Sequence, residues 1–218
     1  MENNIPLIGE DFPEITAKST HGRIELPEDY SGEWLVLFSH PGDFTPVCTT
    51  EFLAFQQRKE EFDELNANLV GLSVDRVHSH IKWTEWIEDE FGEEIEFPII
   101  ADESGEVAEE LGMLQGGSTS TVRAVFIVDP EGVVRQVLYY PEEAGRNIDE
   151  ILRSLKALQT SDSEGVALPA NWPENEDFGD SALLPPPSTD EEMRERIREA
   201  EDQGYDIRDW WFVLRDLD

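Results

Sequence analysis

The most restrictive stretch of the chain runs from Trp34 to Glu51, WLVLFSHPGDFTPVCTTE. Trp34, Leu35, Val36, Leu37 and Phe38 form an uninterrupted apolar run, the pattern of a strand buried on both faces. Pro41, Gly42 and Asp43 break it as a turn. Thr45 is a helix-capping residue type, Pro46 suits the first helical position, and Val47 and Cys48 follow in the first turn. Glu51, Phe52, Phe55 and Phe62 then recur at roughly helical spacing. Cys48 is the only cysteine in the chain. The unpaired N–H groups and dipole of a helix start favour an anion, and a thiolate is the nucleophilic form of cysteine. A lone cysteine is otherwise a small core hydrophobe. The strand–turn–Thr–Pro–x–Cys context favours the reactive reading.

Around this stretch the chain alternates strands and helices. Ile5 to Gly9 and Phe12-Pro13 set turns, and Gly22 to Leu26 suits a hairpin arm. Asn68 to Asp75 reads as a second apolar strand, and a helix is expected over Ser79–Phe91, with Ile81, Trp83, Trp86 and Ile87 apolar. Trp83 and Trp86 read as core or interface. Phe97 to Asp102 reads as a third strand, Glu106 to Leu111 as a short helix, and Gly116-Gly117-Ser118 as a glycine-rich loop. Two strands, Thr121–Asp129 and Val133–Tyr140, are joined by a Pro130-Glu131-Gly132 turn and followed by a helix over Asn147–Leu158. The expected fold class is α/β, a mixed central sheet flanked by helices.

Composition shifts at Ser161, where turn residues replace apolar ones. Residues 1–160 are therefore expected to form one domain and 161–218 a C-terminal extension arm that packs on the core or on a partner subunit. Thr189 can cap a helix over Asp190–Gln203, and the apolar tail Trp210 to Leu214 needs cover.

Charge narrows the partners. The chain carries 50 acidic residues against 16 Lys and Arg, a net charge of −34. Such a surface repels nucleic acid and anionic membrane, so neither is expected as a partner. The acids are spread along the chain, and salt screens their mutual repulsion, so a halophilic protein is expected. No apolar run approaches a membrane span, and MENNIPLIGEDFPEI lacks the basic and apolar regions of a signal peptide, which points to the cytoplasm. There is no CxxC, no Cys/His zinc spacing and no nucleotide or flavin motif, so no cofactor and no metal are expected. His78 and His80 read as surface residues without a third ligand nearby.

Pro41, Thr45 and Cys48, spaced P-x-x-x-T-x-x-C, resemble the active-site signature of the peroxiredoxins, thiol peroxidases on a thioredoxin-like fold. Ser39-His40-Pro41 and Thr49-Thr50-Glu51 are similar to the one-cysteine (peroxiredoxin-six type) branch and its archaeal relatives. So are Phe97 to Ile100, the strand bearing Arg123, Gly145-Arg146-Asn147 and Leu168 to Trp172. A C-terminal arm also fits that branch.

The resemblance implies reduction of hydrogen peroxide and organic hydroperoxides to water and alcohols through a sulfenic acid on Cys48. With no second cysteine, an external thiol or thioredoxin-like reductant must restore it. Spacing puts Thr45 one turn before Cys48, where its hydroxyl can reach sulfur and peroxide, and Pro41 closes the pocket. A strand arginine such as Arg123 can equally place its head at the surface; the resemblance assigns it the catalytic cation. Arg146 is either a surface residue beside a helix cap or, by resemblance, part of the active-site charge network. Glu51 either faces solvent or holds Thr45 or the arginines. His40 is either structural or, by resemblance, a pocket histidine that binds substrate. The family forms dimers and rings of dimers, so a homodimer or such a ring is expected. A holdase chaperone or redox sensor on the same fold is the alternative reading. A thioredoxin-type disulfide exchanger lacks its second thiol, and without a G-x-S-x-G the lipase activity of some one-cysteine members is not expected.

Overall fold

A computed structural model of the chain describes residues 5–114 and 119–217; the expected Gly116-Gly117-Ser118 loop lies outside them. Two compact units follow one another, the first ending at Leu152 and the second beginning at Arg153.

The first unit is built on a seven-stranded mixed sheet of order β2-β1-β5-β4-β3-β6-β7. Its strands are β1 (Ile15–Ser19), β2 (Gly22–Leu26), β3 (Trp34–Ser39), β4 (Ala67–Ser73), β5 (Ile99–Ala101), β6 (Arg123–Val128) and β7 (Val134–Tyr140). Its helices are α1 (Pro46–Gln57), α2 (Lys59–Glu64), α3 (Val77–Phe91) and α4 (Glu106–Glu110), and α5 (Ile148–Glu164) carries the chain into the second unit. All six residues of β3 are buried, because it runs parallel to β4 on one side and antiparallel to β6 on the other. That central place is what its unbroken apolar run demands. The β4–β5 pairing is parallel and the remaining pairings are antiparallel.

Aromatic packing docks the cysteine-bearing helix on this sheet. Phe55 of α1 stacks on Phe38 of β3 at 4.0 Å, and Phe52 meets Phe38 at 5.4 Å, Trp83 of α3 at 4.6 Å and Phe97 at 5.5 Å. Burying each such ring is worth about 1.5–3 kcal/mol. Gly71 in β4 lets Phe52 approach: a Cβ there would meet Phe52 Cζ at 3.2 Å and Ile99 at 3.5 Å. A second buried cluster includes Phe12, Ile15, Leu35, Leu37, Leu72 and Phe126. Alternate residues of β3 thus serve different aromatic and aliphatic neighbours.

The second unit has more order than an extended arm. Strands β8 (Ala182–Leu183), β9 (Asp206–Asp209) and β10 (Phe212–Arg215) form an antiparallel sheet of order β8-β10-β9. Helix α6 (Asp190–Gln203) starts as expected, the Thr189 hydroxyl accepting from Glu192 N at 3.2 Å, and Gly204 at φ 73° ends it. The apolar tail splits by position. Val213 and Leu214, in the middle strand, are buried, whereas Trp210 and Trp211 form the β9–β10 turn and stay 39% and 52% exposed. Helix α5 outlasts its expected end at Leu158 and stops before Gly165, whose φ of 63° breaks the helical path. No helix among the described residues is long and apolar enough to cross a membrane.

Candidate active site

Cys48 lies in the first turn of α1 and is fully buried. Thr45 occupies the position before the helix, as its residue type suggests, but its side chain does not cap. The hydroxyl turns back and donates to Gly42 O at 2.8 Å, tying off the turn that leaves β3. No side chain caps α1, which leaves its first N–H groups for an anion. In the same turn Phe44 takes a left-handed φ of 55° and exposes its ring, and Pro41 is half-buried.

The strands bring a cation to the sulfur. Because β6 runs antiparallel to β3, its first residue comes back to the end of β3 where α1 begins. That residue is Arg123, only 2% exposed, and its Nη1 donates to Cys48 Sγ at 3.3 Å. The same Nη1 donates to Glu51 Oε2 at 2.7 Å, while Nε and Nη2 donate to the Glu142 carbonyl at 2.9 and 2.7 Å. The guanidinium is thus fixed along two edges.

Glu51 sits one turn after Cys48 on the same helix face. Its Oε1 accepts from Arg146 N and Nε, both at 2.8 Å, and its Oε2 accepts from Arg146 Nη2 at 2.7 Å. Arg146 Nη1 donates to Ser39 O and Ala124 O, and its guanidinium lies over the rings of Phe38 and Phe55 at 5.1 and 5.5 Å. Gly145 permits this approach, since a Cβ there would meet Val47 Cγ1 at 3.3 Å. Burial pushes the Glu51 carboxyl up, but Arg146 and then Arg123 overcome it and hold it below its ordinary value. Two guanidiniums and one carboxylate leave one positive charge in excess beside Cys48 Sγ.

His40 is drawn elsewhere. Its Nε2 meets Asp43 Oδ1 at 2.9 Å, and its buried Nδ1 has no hydrogen-bond partner. Burial lowers the His40 pKa, and Asp43 opposes that only in part. His80, expected at the surface, is instead fully buried. Its Nδ1 lies 3.0 and 2.9 Å from the two Asp43 oxygens, and its Nε2 lies 3.3 Å from Ile100 O. Burial raises the Asp43 carboxyl, but hydrogen bonds from His40 and His80 hold it well below its ordinary value. The reason for the misreading is topological. Parallel pairing of β3 with β4 sets the loops at their carboxyl ends side by side, a relation that spacing along the chain does not reveal. His78 is exposed, as expected. Trp83 is fully buried and Trp86 38% exposed.

The structure therefore gathers Cys48, Arg123, Glu51 and Arg146 into one hydrogen-bonded group, with Thr45 and Pro41 on the adjoining turn. Asp43, His80 and the Glu142 carbonyl escaped the sequence reading. The first two carried only a residue-type signal, and a main-chain carbonyl carries none.

Residues 8–137 match the model of the AhpC/TSA family, and residues 157–200 match that of the C-terminal domain of 1-Cys peroxiredoxin. A peroxiredoxin of Thermotoga petrophila is 60% identical over 216 residues, covering 99% of both chains. One from Archaeoglobus fulgidus is 58% identical over 213 residues, 97% of this chain and 99% of that one. A solved yeast mitochondrial 1-Cys peroxiredoxin, described in terms of thiol resolution by glutathione and thioredoxin systems, superposes with a TM-score of 0.83 at 37% identity, covering 96% and 99% of the two chains. Peroxiredoxin 6 of Arenicola marina, in a cysteine-to-serine form, gives 0.83 at 33% identity over 95% and 96%.

Proposed function

This chain belongs to the peroxiredoxin family and is a thiol-dependent peroxidase on a thioredoxin-like fold, and from that premise we propose how its residues divide the work. The Cys48 thiolate attacks the hydroxyl oxygen of ROOH. The S–O bond forms as the O–O bond breaks, and the departing RO⁻ takes up a proton to leave as alcohol or water. Sulfur becomes a sulfenic acid and the peroxide gains two electrons. Arg123 stabilises the thiolate and then the charge moving onto oxygen. The observation that carries this reading is its Nη1, 3.3 Å from the sulfur and anchored on Glu51. Thr45 spends its proton on Gly42 O, so its oxygen keeps lone pairs to accept the peroxide O–H. Pro41 limits water beside the sulfur. Glu51 and Arg146 position Arg123 without touching peroxide. His40, committed to Asp43, steadies the turn that carries Pro41 and Thr45.

An external thiol R′SH attacks the sulfenic sulfur, releasing water and leaving a mixed disulfide. A second thiol then releases R′SSR′ and restores Cys48. The described relative's glutathione and thioredoxin systems support reductants of that class here. Because Cys48 is fully buried, the first turn of α1 must open to admit the thiol.

The exposed Trp210 and Trp211 support assembly into a homodimer or a ring of dimers. The composition shift at Ser161, inside α5, supports a peroxidase domain that ends at residue 160, past the Leu152–Arg153 boundary between the two compact units. The charge of −34 supports a protein adapted to high salt and without nucleic-acid partners.

Peroxide consumption with a thiol reductant, followed by intact mass, tests the central step. Wild type gains one oxygen on Cys48 and turns over. Cys48→Ser folds normally, gains none and does not turn over. Turnover by Cys48→Ser would overturn the reading.

A further inference from the structure

The carboxyl ends of β3 and β4 lie side by side, Ser39 opposite Leu72, and the loops leaving them carry ligating side chains that the peroxide chemistry does not use. His40 and Asp43 come from the turn after β3, and His80 from the first turns of α3. One ligand atom of each lies within 4.8 Å of the others. Both histidines are fully buried, and Asp43 is 9% exposed.

His80 Nδ1 faces both Asp43 oxygens at 3.0 and 2.9 Å, and its Nε2 faces the Ile100 carbonyl at 3.3 Å. Both partners only accept, so a cation at Nδ1 takes the place a hydrogen would hold, while an Nε2–H can keep the carbonyl. His40 aims Nε2 at the same Asp43 Oδ1, and its Nδ1 has no partner. Two imidazoles and a carboxylate converging from two loops form a donor set that suits zinc and its first-row neighbours.

We propose that His40 Nε2, Asp43 and His80 Nδ1 together bind one zinc-class divalent cation. Three protein ligands leave a fourth tetrahedral position open. Zinc–ligand bonds of about 2 Å require ligand atoms roughly 3.3 Å apart, so the contacts to Asp43 widen by a few tenths of an ångström on binding and the two imidazole nitrogens, within 4.8 Å of each other, settle to the same spacing. The outer hydrogen bonds are in place. His80 Nε2 lies 3.3 Å from Ile100 O, placed to donate its hydrogen there when Nδ1 binds the ion, the bond that fixes a ligating imidazole. Asp43 N donates to Asp75 Oδ2 at 2.9 Å, and Ser73 Oγ steadies that same oxygen at 2.9 Å. The ion stiffens the turn that bears Pro41 and Thr45 and takes no part in the sulfur chemistry.

The test uses the full-length protein, stripped with chelator and titrated with Zn²⁺ by calorimetry and with Co²⁺ by visible absorption. High salt and excess Mg²⁺ occupy the oxygen-only sites of the acidic surface. One tight equivalent per chain is expected, with the intense bands of four- or five-coordinate cobalt. His80→Gln and Asp43→Asn each weaken it beyond the 10–100-fold typical of losing an outer-shell partner, whereas Cys48→Ser leaves it unchanged. Circular dichroism checks each variant. If either ligand variant fails to fold, X-ray absorption of the zinc-loaded wild type decides, an all-N/O shell with two imidazoles being the expected result. No tight equivalent, a sulfur ligand, or undiminished binding in folded His80→Gln overturns the proposal.

Discussion

Replacing Arg123 by methionine probes the charge arithmetic of the site. The substitution removes the hydrogen bond to Cys48 Sγ at 3.3 Å and the surplus positive charge, leaving Arg146 and Glu51 to cancel each other. A unit charge pair at that separation interacts by about 5 kcal/mol at an effective dielectric near 20. Part of this offsets the desolvation of a sulfur that is fully buried. The loss of one preorganised donor elsewhere costs about 3–4 kcal/mol. We therefore expect the second-order rate constant for peroxide to fall by on the order of a hundred- to a thousandfold. The fold should survive, because Arg146 still supplies N, Nε and Nη2 to Glu51. Stopped-flow mixing with peroxide, quenched and read as intact mass on Cys48, measures the step directly. Arg123→Lys restores charge without the paired donors and should recover only part of the rate. A folded Arg123→Met protein within about fivefold of wild type would refute the assignment.

Glu51→Gln strips the carboxylate from between two buried arginines and should cost about 3–5 kcal/mol of stability, read by chemical denaturation. Glu51 holds its proton less tightly folded than unfolded, so its stabilisation is complete above the ordinary glutamate range near 4.5 and is lost as pH falls through the lower folded value. The acid limb of wild-type stability should therefore be steeper than that of Glu51→Gln. Gly71→Ala should lower stability by about 1–3 kcal/mol, since the new methyl meets Phe52 at 3.2 Å; an unchanged melting temperature would deny that close packing. Raising salt from millimolar to molar should raise the melting temperature of a chain with net charge −34, and a flat response would remove the case for salt adaptation.

Local chemistry was legible where local rules decide. The β3 apolar run, Pro46 at the helix start and Thr189 before α6 each declare themselves through neighbours a few residues away. The site was legible in part, because Cys48, Glu51 and Thr45 share one helix start. Arg123 and Arg146 lie 75 and 95 residues from their partners Cys48 and Glu51, so only the family likeness tied them in. His80 was misread because its burial follows from the β3–β4 pairing rather than from its own helix. The small sheet of the second unit was hidden because Ala182-Leu183 is too short to show a period.

The grip on Arg123 by the carbonyl of Glu142 has a consequence for descent. A main-chain oxygen is supplied by every amino acid, so the codon at that position can drift freely while the reaction persists. What must be inherited there is the path of the loop, and mutational tolerance at residue 142 should be set by backbone geometry alone.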